Sequence, residues 1–244
     1  MLTPLGARVG NFLYFWLQAH RVGAAGGDLR VRANDHLDDW LDVWPALTNL
    51  TIERPEIGRT DRLVPVPLLH FQEFGVDFTR AELDAFIREC LFSDRLRERL
   101  TPAGERRLTV NVRRGDYYSV PEYCAMYGMD VEGFLRAAVS AAVAEAPVDD
   151  VVVVSDDPVW CRENLGWLAD VGPVRMAGGG ALDHLATLAS ARRLVLANST
   201  FSYWGAYLAG AKSGGVQVVA PRFHARGVHG DVAWQHDPEW TVLD

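Results

Sequence analysis

The sequence predicts an α/β protein whose C-terminal half, residues 105–244, is a doubly wound parallel sheet. Two observations predict this fold class. After residue 105, short apolar runs of strand length alternate with longer helix-like segments, which is the pattern of consecutive βαβ units. One of these runs, Val151-Val-Val-Val154, is apolar at every position, as a strand buried on both faces must be. The pattern changes near Pro102-Ala-Gly-Glu105, so residues 1–104 are predicted to form a separate N-terminal half.

Helices dominate the prediction for the N-terminal half. Apolar side chains recur at helical spacing before Pro45, which ends that helix because proline cannot continue it. Thr79 and Glu82 form a capping box in front of an apolar helical run. The predicted helices cover residues 10–20, 37–44, 79–87 and 93–100.

In the C-terminal half, strands and helices are predicted to follow one another in strict alternation. Each strand is a short apolar run bounded by turn residues, and each helix carries apolar residues at helical spacing. The predicted strands are residues 108–112, 151–154, 173–176, 194–197 and 216–220. The predicted helices are residues 131–145, 158–168, 182–191 and 201–209.

Composition excludes several classes of partner. The chain has 244 residues, 49% of them hydrophobic, and a net charge of −8, which disfavours binding to nucleic acid or to an anionic membrane surface. No apolar run approaches the roughly 18 residues that a spanning helix needs, so no transmembrane segment is expected. The three cysteines are scattered without metal-site spacing, which indicates reduced thiols and a cytoplasmic location.

The first polar cluster is Asn111-Val-Arg-Arg-Gly-Asp-Tyr117, where the strand over residues 108–112 ends. Ligands of open parallel sheets bind at the carboxyl ends of strands, so Arg113 and Arg114 are candidates for binding phosphate oxygens. Their alternative role is an ordinary ion pair with Asp116. Asp116 is also the first candidate for a general base, and Glu122 is the second.

The second cluster is Ser155-Asp156-Asp157, directly after the strand over residues 151–154. Two adjacent carboxylates can bind a divalent metal, but they can equally cap the next helix by accepting hydrogen bonds from its free N–H groups. A metal site needs further oxygen ligands, which the sequence does not supply nearby. We therefore predict that at least one of the two aspartates is a cap and that the protein binds no metal.

The third cluster is Asn198-Ser-Thr-Phe-Ser202, between a strand and a helix. Hydroxyl groups and unpaired backbone N–H groups at a helix N-terminus make an anion site, although Ser199 or Thr200 can also serve as a plain N-cap. Asp183 opens the preceding helix. It is either a cap or, beside a nucleotide, an acceptor for the N–H donors of guanine.

Taken together, the three clusters resemble glycosyltransferase family 11, the α-1,2-fucosyltransferases. The family's His-x-Arg-Arg-Gly-Asp-Tyr, Ser-Asp-Asp…Trp and Asn-Ser-Thr-Phe-Ser-Trp-Trp-Ala-Ala-Tyr-Leu elements are matched by three segments of this chain: 111–117, 155–160 and 198–208. Near the N-terminus, Arg8-Val-Gly-Asn11 resembles the family's Gly-Leu-Gly-Asn opening, and Leu69-His-Phe-Gln-Glu73 resembles its Gly-Tyr-Phe-Gln-Ser segment.

This resemblance implies a GT-B-like arrangement of two Rossmann-like halves, with acceptor binding in residues 1–104 and GDP-fucose binding in residues 105–244. It implies inverting, metal-independent transfer of fucose to a hydroxyl of a glycan, O-2 of a galactoside, with no cofactor beyond the donor substrate. It also implies that any contact with a membrane is peripheral, through a membrane-bound acceptor glycan. The implied catalytic residues are Arg113 and Asp116, and the implied donor-binding residues are Gly10, Asn11, Arg113, Arg114, Ser155, Asp156, Asp183, Asn198, Ser199, Thr200, Phe201 and Ser202.

Two alternatives stay open at the level of sequence. The first is a transferase of the same fold that uses another nucleotide sugar. The second is a catalytically silent nucleotide-binding module, suggested by Asn111 at the position of the signature histidine and by Phe12 and Phe15 at the positions of two glutamines in the family's opening.

Overall fold

The computed structural model describes residues 1–4, 6–34, 37–102 and 104–244, with the side chain of Asp38 excepted. The chain forms two compact units, Met1–Glu98 and Arg99–Asp244. The sequence put the boundary six residues later, at 104/105. The assignment of the acceptor to one half and the donor to the other stays a prediction.

The N-terminal unit is mostly helical around one short parallel strand pair, β1 with β2. Its elements are α1 (Val9–Ala24), β1 (Val31–Arg32), α2 (Asp38–Val43), β2 (Thr51–Ile52), α3 (Arg80–Phe86) and α4 (Asp94–Arg97). Short 3₁₀ turns at Pro45–Leu50 and Arg54–Glu56 and a π-helical turn at Ile87–Leu91 complete it. The predicted capping box of α3 is confirmed, because Thr79 accepts from the Glu82 N–H and the Glu82 carboxylate accepts from the Thr79 N–H.

The core of this unit is aromatic. Phe12, Phe15 and Trp16 on α1 are fully buried, and the Trp16 indole N–H donates to Thr51 Oγ1 at 3.0 Å. Trp44 is buried as well, so neither tryptophan presents a surface on which a sugar ring could stack.

The C-terminal unit confirms the predicted α/β class with a doubly wound parallel sheet. Its six strands, all paired in parallel, lie in the order β5-β4-β3-β6-β7-β8. The strands are β3 (Arg107–Val112), β4 (Asp150–Ser155), β5 (Val174–Met176), β6 (Arg193–Val195), β7 (Gln217–Pro221) and β8 (Thr241–Leu243). The helices are α5 (Gly115–Ser119), α6 (Pro121–Tyr127), α7 (Val131–Glu145), α8 (Pro158–Asn164), α9 (Ala181–Ser190) and α10 (Thr200–Ser213).

In the C-terminal half, most predicted elements are recovered, with three differences. The helix predicted over residues 158–168 is split into α8 and a 3₁₀ segment, Gly166–Asp170. The helix α5 begins within the first polar cluster and α6 follows it, and the sequence did not predict either helix. The edge strand β8 was also not predicted, because its three residues are too few to show a periodic pattern.

Helices cover both faces of the sheet. On one face, α7 and α8 pack on apolar side chains of β3 and β4, including Leu108, Val110, Val151 and Val153. The other helix pair, α9 with α10, packs so closely that a Cβ at Gly205 would lie 2.5 Å from Leu188 Cβ. Glycine at this position therefore permits the close approach of the two helices.

The strand order creates a crevice at one position. From β3 the chain passes through α7 to β4, which is the neighbour of β3 on the side away from β6. From β6 the chain passes through α10 to β7, which is the neighbour of β6 on the side away from β3. Because β3 and β6 are neighbours and their connections diverge, the sheet opens at their carboxyl ends. Ligands of doubly wound sheets bind at such a switch point.

At the opposite, amino end of the sheet, ion pairs and hydrogen bonds join the strands to one another and to the end of α7. Arg107 pairs with Asp150 across β3 and β4 at 2.7 Å. Arg193 is 5% exposed and donates to the carbonyls of Ala146 and Pro147 at the end of α7, both at 2.9 Å. These arginines satisfy a helix terminus and a strand end, so they are structural residues.

Within the described residue ranges, no helix combines the length and the apolar character needed to cross a bilayer. The cysteines Cys90, Cys124 and Cys161 are free thiols.

Candidate functional site

The crevice between β3 and β6 brings together two of the three polar clusters predicted from sequence. Its walls come from the end of β3, the start of α7 and the segment after β6. The lining residues are Asn111, Val112, Arg113, Met129, Val131, Phe134, Leu135, Leu196, Ala197 and Asn198. Seven of these residues are apolar and three carry polar side chains, a composition that is usual for a small-molecule site.

Arg113 is held by two carboxylates. Its Nη2 donates to Asp116 Oδ1 and its Nη1 donates to Asp156 Oδ2. The guanidinium also lies over the ring of Tyr117, 4.9 Å from the ring centroid. With 29% of its side chain exposed, Arg113 is fixed in orientation but still accessible from solvent.

The side chain of Arg114 lies in a different environment. Its guanidinium lies between the rings of Tyr118 and Trp160, at 4.0 and 4.2 Å from their centroids, and its Nε is 3.5 Å from Asp157 Oδ2. Stacking of this kind stabilises a guanidinium in a fixed place. These contacts engage Arg114 with the protein itself, and donor binding by Arg114 stays a prediction.

The second cluster serves local structure. The Ser155 hydroxyl accepts from the Asp157 N–H at 2.9 Å, and Asp157 Oδ1 accepts from the Trp160 N–H at 3.0 Å, which caps α8. The prediction that at least one of the two aspartates is a cap is therefore confirmed. In the described part of the chain, no three His, Cys, Asp or Glu side chains converge as a metal site requires.

The third cluster lies at the N-terminus of α10, beside the crevice. Asn198 is 2% exposed, and its Nδ2 donates to the carbonyls of Tyr127 and His224 at 2.9 and 3.1 Å. Ser202 Oγ accepts from the Ala197 N–H at 3.1 Å. Ser199 is the N-cap of this 14-residue helix, and its side chain makes no capping hydrogen bond to a described residue. The first-turn N–H groups, which include those of Thr200 and Phe201, are thus available to an anion.

Asp183 occupies the first turn of α9, where its Oδ2 accepts from the Gly180 N–H at 2.9 Å. Its Oδ1 lies 3.5 Å from Arg99 Nε. The capping role is thus observed. A carboxylate has about four acceptor sites, so this geometry leaves acceptor capacity for a base edge.

The sequence family follows from comparison with known proteins. The family model described as "Glycosyl transferase family 11" matches residues 70–244, which is well over half of the chain and includes all of the crevice.

The chain belongs to glycosyl transferase family 11.

Relatives in this family are named as fucosyltransferases. A galactoside alpha-(1,2)-fucosyltransferase 2 from Oryctolagus cuniculus is 30% identical over 196 residues, which is 72% of this chain and 49% of the relative. A galactoside alpha-(1,2)-fucosyltransferase 1 from Leontocebus fuscicollis is 37% identical over 123 residues, which is 47% of this chain and 33% of the relative. The chain therefore spans about half or less of the length of these relatives.

A solved structure with a similar chain path is the crystal structure of POFUT1 in complex with GDP. Its TM-score is 0.43 at 13% sequence identity, and the match covers 76% of this chain and 58% of that one.

The two N-terminal segments that resemble the family meet within the first unit. The Gln72 Nε2 donates to Asn11 Oδ1 at 3.0 Å, and Gln72 is fully buried. Asn11 and the buried Gly10 lie in the first turn of α1. A contact of either residue with the donor stays a prediction.

A buried group of aromatic and histidine residues contacts Asn198 of the third polar cluster, and the sequence did not predict this group. The ring of Tyr117 stacks on that of Tyr127 at 4.5 Å, and the Tyr203 hydroxyl is 3.0 Å from His224 Nδ1. Burial raises the pKa of Tyr117 and of Tyr203, so both phenols keep their protons. The only sequence signal for His224 was its position shortly after the strand β7.

Two histidines of this group are neutral in the folded protein. Burial lowers the pKa of His224 to about 3, with a smaller effect from His236, and burial lowers the pKa of His236 to about 4, with a smaller effect from Arg222. Both values lie below the ordinary histidine value of about 6.5. Burial disfavours the protonated imidazoles because it removes solvation from their charge.

This family 11 chain should therefore lose stability as the pH falls below about 6.5. There the unfolded chain binds protons at His224 and His236, whereas the folded chain does not until far lower pH. At pH 5.5 the loss is about 1.4 kcal/mol for each histidine. Urea unfolding of His224→Gln, which cannot titrate, should give a shallower decrease in unfolding free energy between pH 7.5 and 5.5. An identical slope in wild type and His224→Gln would contradict the assignment.

Proposed function

We propose that this chain transfers fucose from GDP-fucose to a hydroxyl of a glycan, O-2 of a galactoside, by an inverting mechanism that uses no metal. The observation that carries the proposal is that Arg113 and Asn198, the residue before the N-cap of α10, both line the crevice between β3 and β6. Membership of family 11 and the names of its relatives support fucose as the sugar and a galactoside as the acceptor.

Arg113 and α10 would bind the donor diphosphate from two sides. A guanidinium matches phosphate oxygens with two parallel hydrogen bonds, and a helix N-terminus adds N–H donors and a partial positive charge. As the bond from the anomeric carbon to the diphosphate breaks, negative charge grows on the leaving group. Fixed donors at this point stabilise the transition state more than the ground state.

The attraction for phosphate would be local and directional. Around the turn after β3, two arginines face three aspartates (Arg113 and Arg114 with Asp116, Asp156 and Asp157), so the cluster has no net positive charge. The whole chain is also acidic. Affinity for the diphosphate therefore depends on the geometry of hydrogen bonds, and ionic strength should affect it less than in a site built on net charge.

Asp116 is our candidate for the general base. The acceptor hydroxyl attacks the anomeric carbon, its proton passes to the base, and GDP leaves with the electrons of the broken bond. Asp116 pairs with Arg113 and is 37% exposed, so its carboxylate lies at the edge of the proposed site. A diphosphate that takes hydrogen bonds from Arg113 would compete with Asp116 for the same donors and so release the carboxylate.

Guanine recognition is assigned to Asp183, whose carboxylate already accepts from Gly180 on α9. Metal-independent transfer is supported by the contacts of Asp156 and Asp157. Arg113, Arg114 and the first turn of α8 engage these carboxylates, which makes cation ligation by the pair unfavourable without breaking those bonds.

A donor turnover assay tests the proposal as a whole. Release of the nucleoside diphosphate should be measured with GDP-fucose and a panel of galactosides in the presence of EDTA, with GDP-mannose and UDP-galactose as comparison donors. We expect acceptor-dependent release with GDP-fucose alone, unaffected by EDTA, because no Lewis acid is needed. Activity lost in EDTA and restored by Mg²⁺ or Mn²⁺ would contradict metal independence. Turnover of another donor would indicate a different sugar, and GDP binding without turnover would indicate a silent module.

Arg113→Ala should weaken GDP binding by about 10–100-fold, because a hydrogen bond to a charged group is worth ~1.5–3 kcal/mol. Arg113→Lys should recover little of that loss, since an ammonium cannot reproduce the two-pronged geometry. Isothermal titration with GDP measures both. Arg107→Ala, which removes an arginine from the opposite end of the same strand, is the control and should leave GDP affinity unchanged. GDP affinity close to wild type in Arg113→Ala would exclude Arg113 as the phosphate ligand.

A further inference from the structure

The carboxylate of Asp156 uses both of its oxygens on the turn that follows the neighbouring strand. Oδ2 accepts from Arg113 Nη1, and Oδ1 accepts from the backbone N–H of Arg114 at 2.8 Å. One side chain at the end of β4 therefore fixes both the side chain of Arg113 and the backbone of the next residue.

The strand register explains why these residues meet. β3 pairs in parallel with β4 so that Val112 lies beside Ser155, and one further step brings Arg113 beside Asp156. The same register pairs Arg107 with Asp150 at the amino end. The two strands thus carry an Arg–Asp pair at each end, and only the carboxyl-end pair adjoins the crevice.

Gly115 makes room for this contact. A Cβ at residue 115 would lie 3.1 Å from the Asp156 carboxyl carbon and closer still to its Oδ2, inside normal van der Waals distance. The backbone of Gly115 is helical, so its conformation does not require glycine. The position needs a small residue because of the approach of Asp156.

We propose that Asp156 is a positioning residue that orients Arg113 for the donor diphosphate, and that Gly115 is required to let it approach. This inference rests on the proposed function. It revises the expectation from sequence that Asp156 binds the donor itself: its oxygens are engaged by the protein, and a carboxylate facing a diphosphate would repel it. A guanidinium already held in place loses less conformational entropy when the diphosphate binds.

Binding of GDP and of guanosine separates positioning from a general structural role. Asp156→Asn keeps the shape of the side chain but presents an amide N–H to Arg113. We expect GDP affinity to fall by about 10-fold or more, since a charge-assisted bond to Arg113 is lost, while guanosine affinity stays unchanged. Asp150→Asn is the matched control, because it breaks the equivalent Arg–Asp pair on the same two strands away from the crevice. It should leave both affinities unchanged.

A double-mutant cycle tests the role assigned to Gly115. Gly115→Ala alone should displace Asp156 and weaken GDP binding about as much as Asp156→Ala does. In the Asp156→Ala background the added methyl meets no carboxylate, so Gly115→Ala should then cost little further affinity. Fully additive losses would overturn the assignment of Gly115 as the residue that admits Asp156.

The outcomes distinguish this proposal from the function on which it rests. If Arg113→Ala weakens GDP binding and Asp156→Asn does not, the positioning role is overturned and the proposed function stands. If Asp156→Asn weakens GDP and guanosine equally, a structural role explains the loss and the positioning role is again overturned. If the wild-type chain fails to bind GDP, both proposals fall. A loss confined to GDP, with coupling between Gly115 and Asp156, supports both.

Discussion

The pairing of the Arg113 guanidinium with Asp116 and Asp156 is the interaction on which the rest of the site depends. It joins the turn after β3 to the residue after β4 and orients the Arg113 guanidinium at the carboxyl ends of β3 and β6, where the sheet opens. Without the two carboxylates, a long and flexible side chain would sample many rotamers at the rim of the crevice. With them, the chain offers a fixed hydrogen-bond donor beside the N-terminus of α10.

The arginines at the amino end of the sheet have structural roles, whereas Arg113 at the carboxyl end has the role that we propose in donor binding. At the amino end, Arg107 forms an ion pair between β3 and β4, and Arg193 donates to a carbonyl at the end of α7. At the carboxyl end, Arg113 has a comparable partner in Asp156 but remains partly exposed. Behind the site, the neutral cluster around His224 holds Asn198 through a backbone carbonyl. The residue before the N-cap of α10 is thus held in a buried environment, in which hydrogen bonds are stronger than in water.

Much of this arrangement could be predicted from local sequence, and the rest depends on contacts between distant residues. The apolar strand over residues 151–154, the capping box at Thr79 and the cap at Asp157 follow from short patterns, so they were predictable. The contact between Arg113 and Asp156 depends on strand register, which no local pattern encodes. The same holds for His224, whose partner Tyr203 lies on another element. The helices α5 and α6 were missed because polar and aromatic residues there obscure any helical period.

The central claim is that the crevice between β3 and β6 binds the donor diphosphate between Arg113 and α10. A crystal structure of the chain with GDP bound tests it most directly. The account predicts a phosphate oxygen within about 3.2 Å of the Arg113 guanidinium and of a first-turn N–H of α10. It also predicts that Asp156 still contacts Arg113 in the complex. GDP bound elsewhere, or bound in the crevice with no phosphate contact to Arg113, would contradict the account.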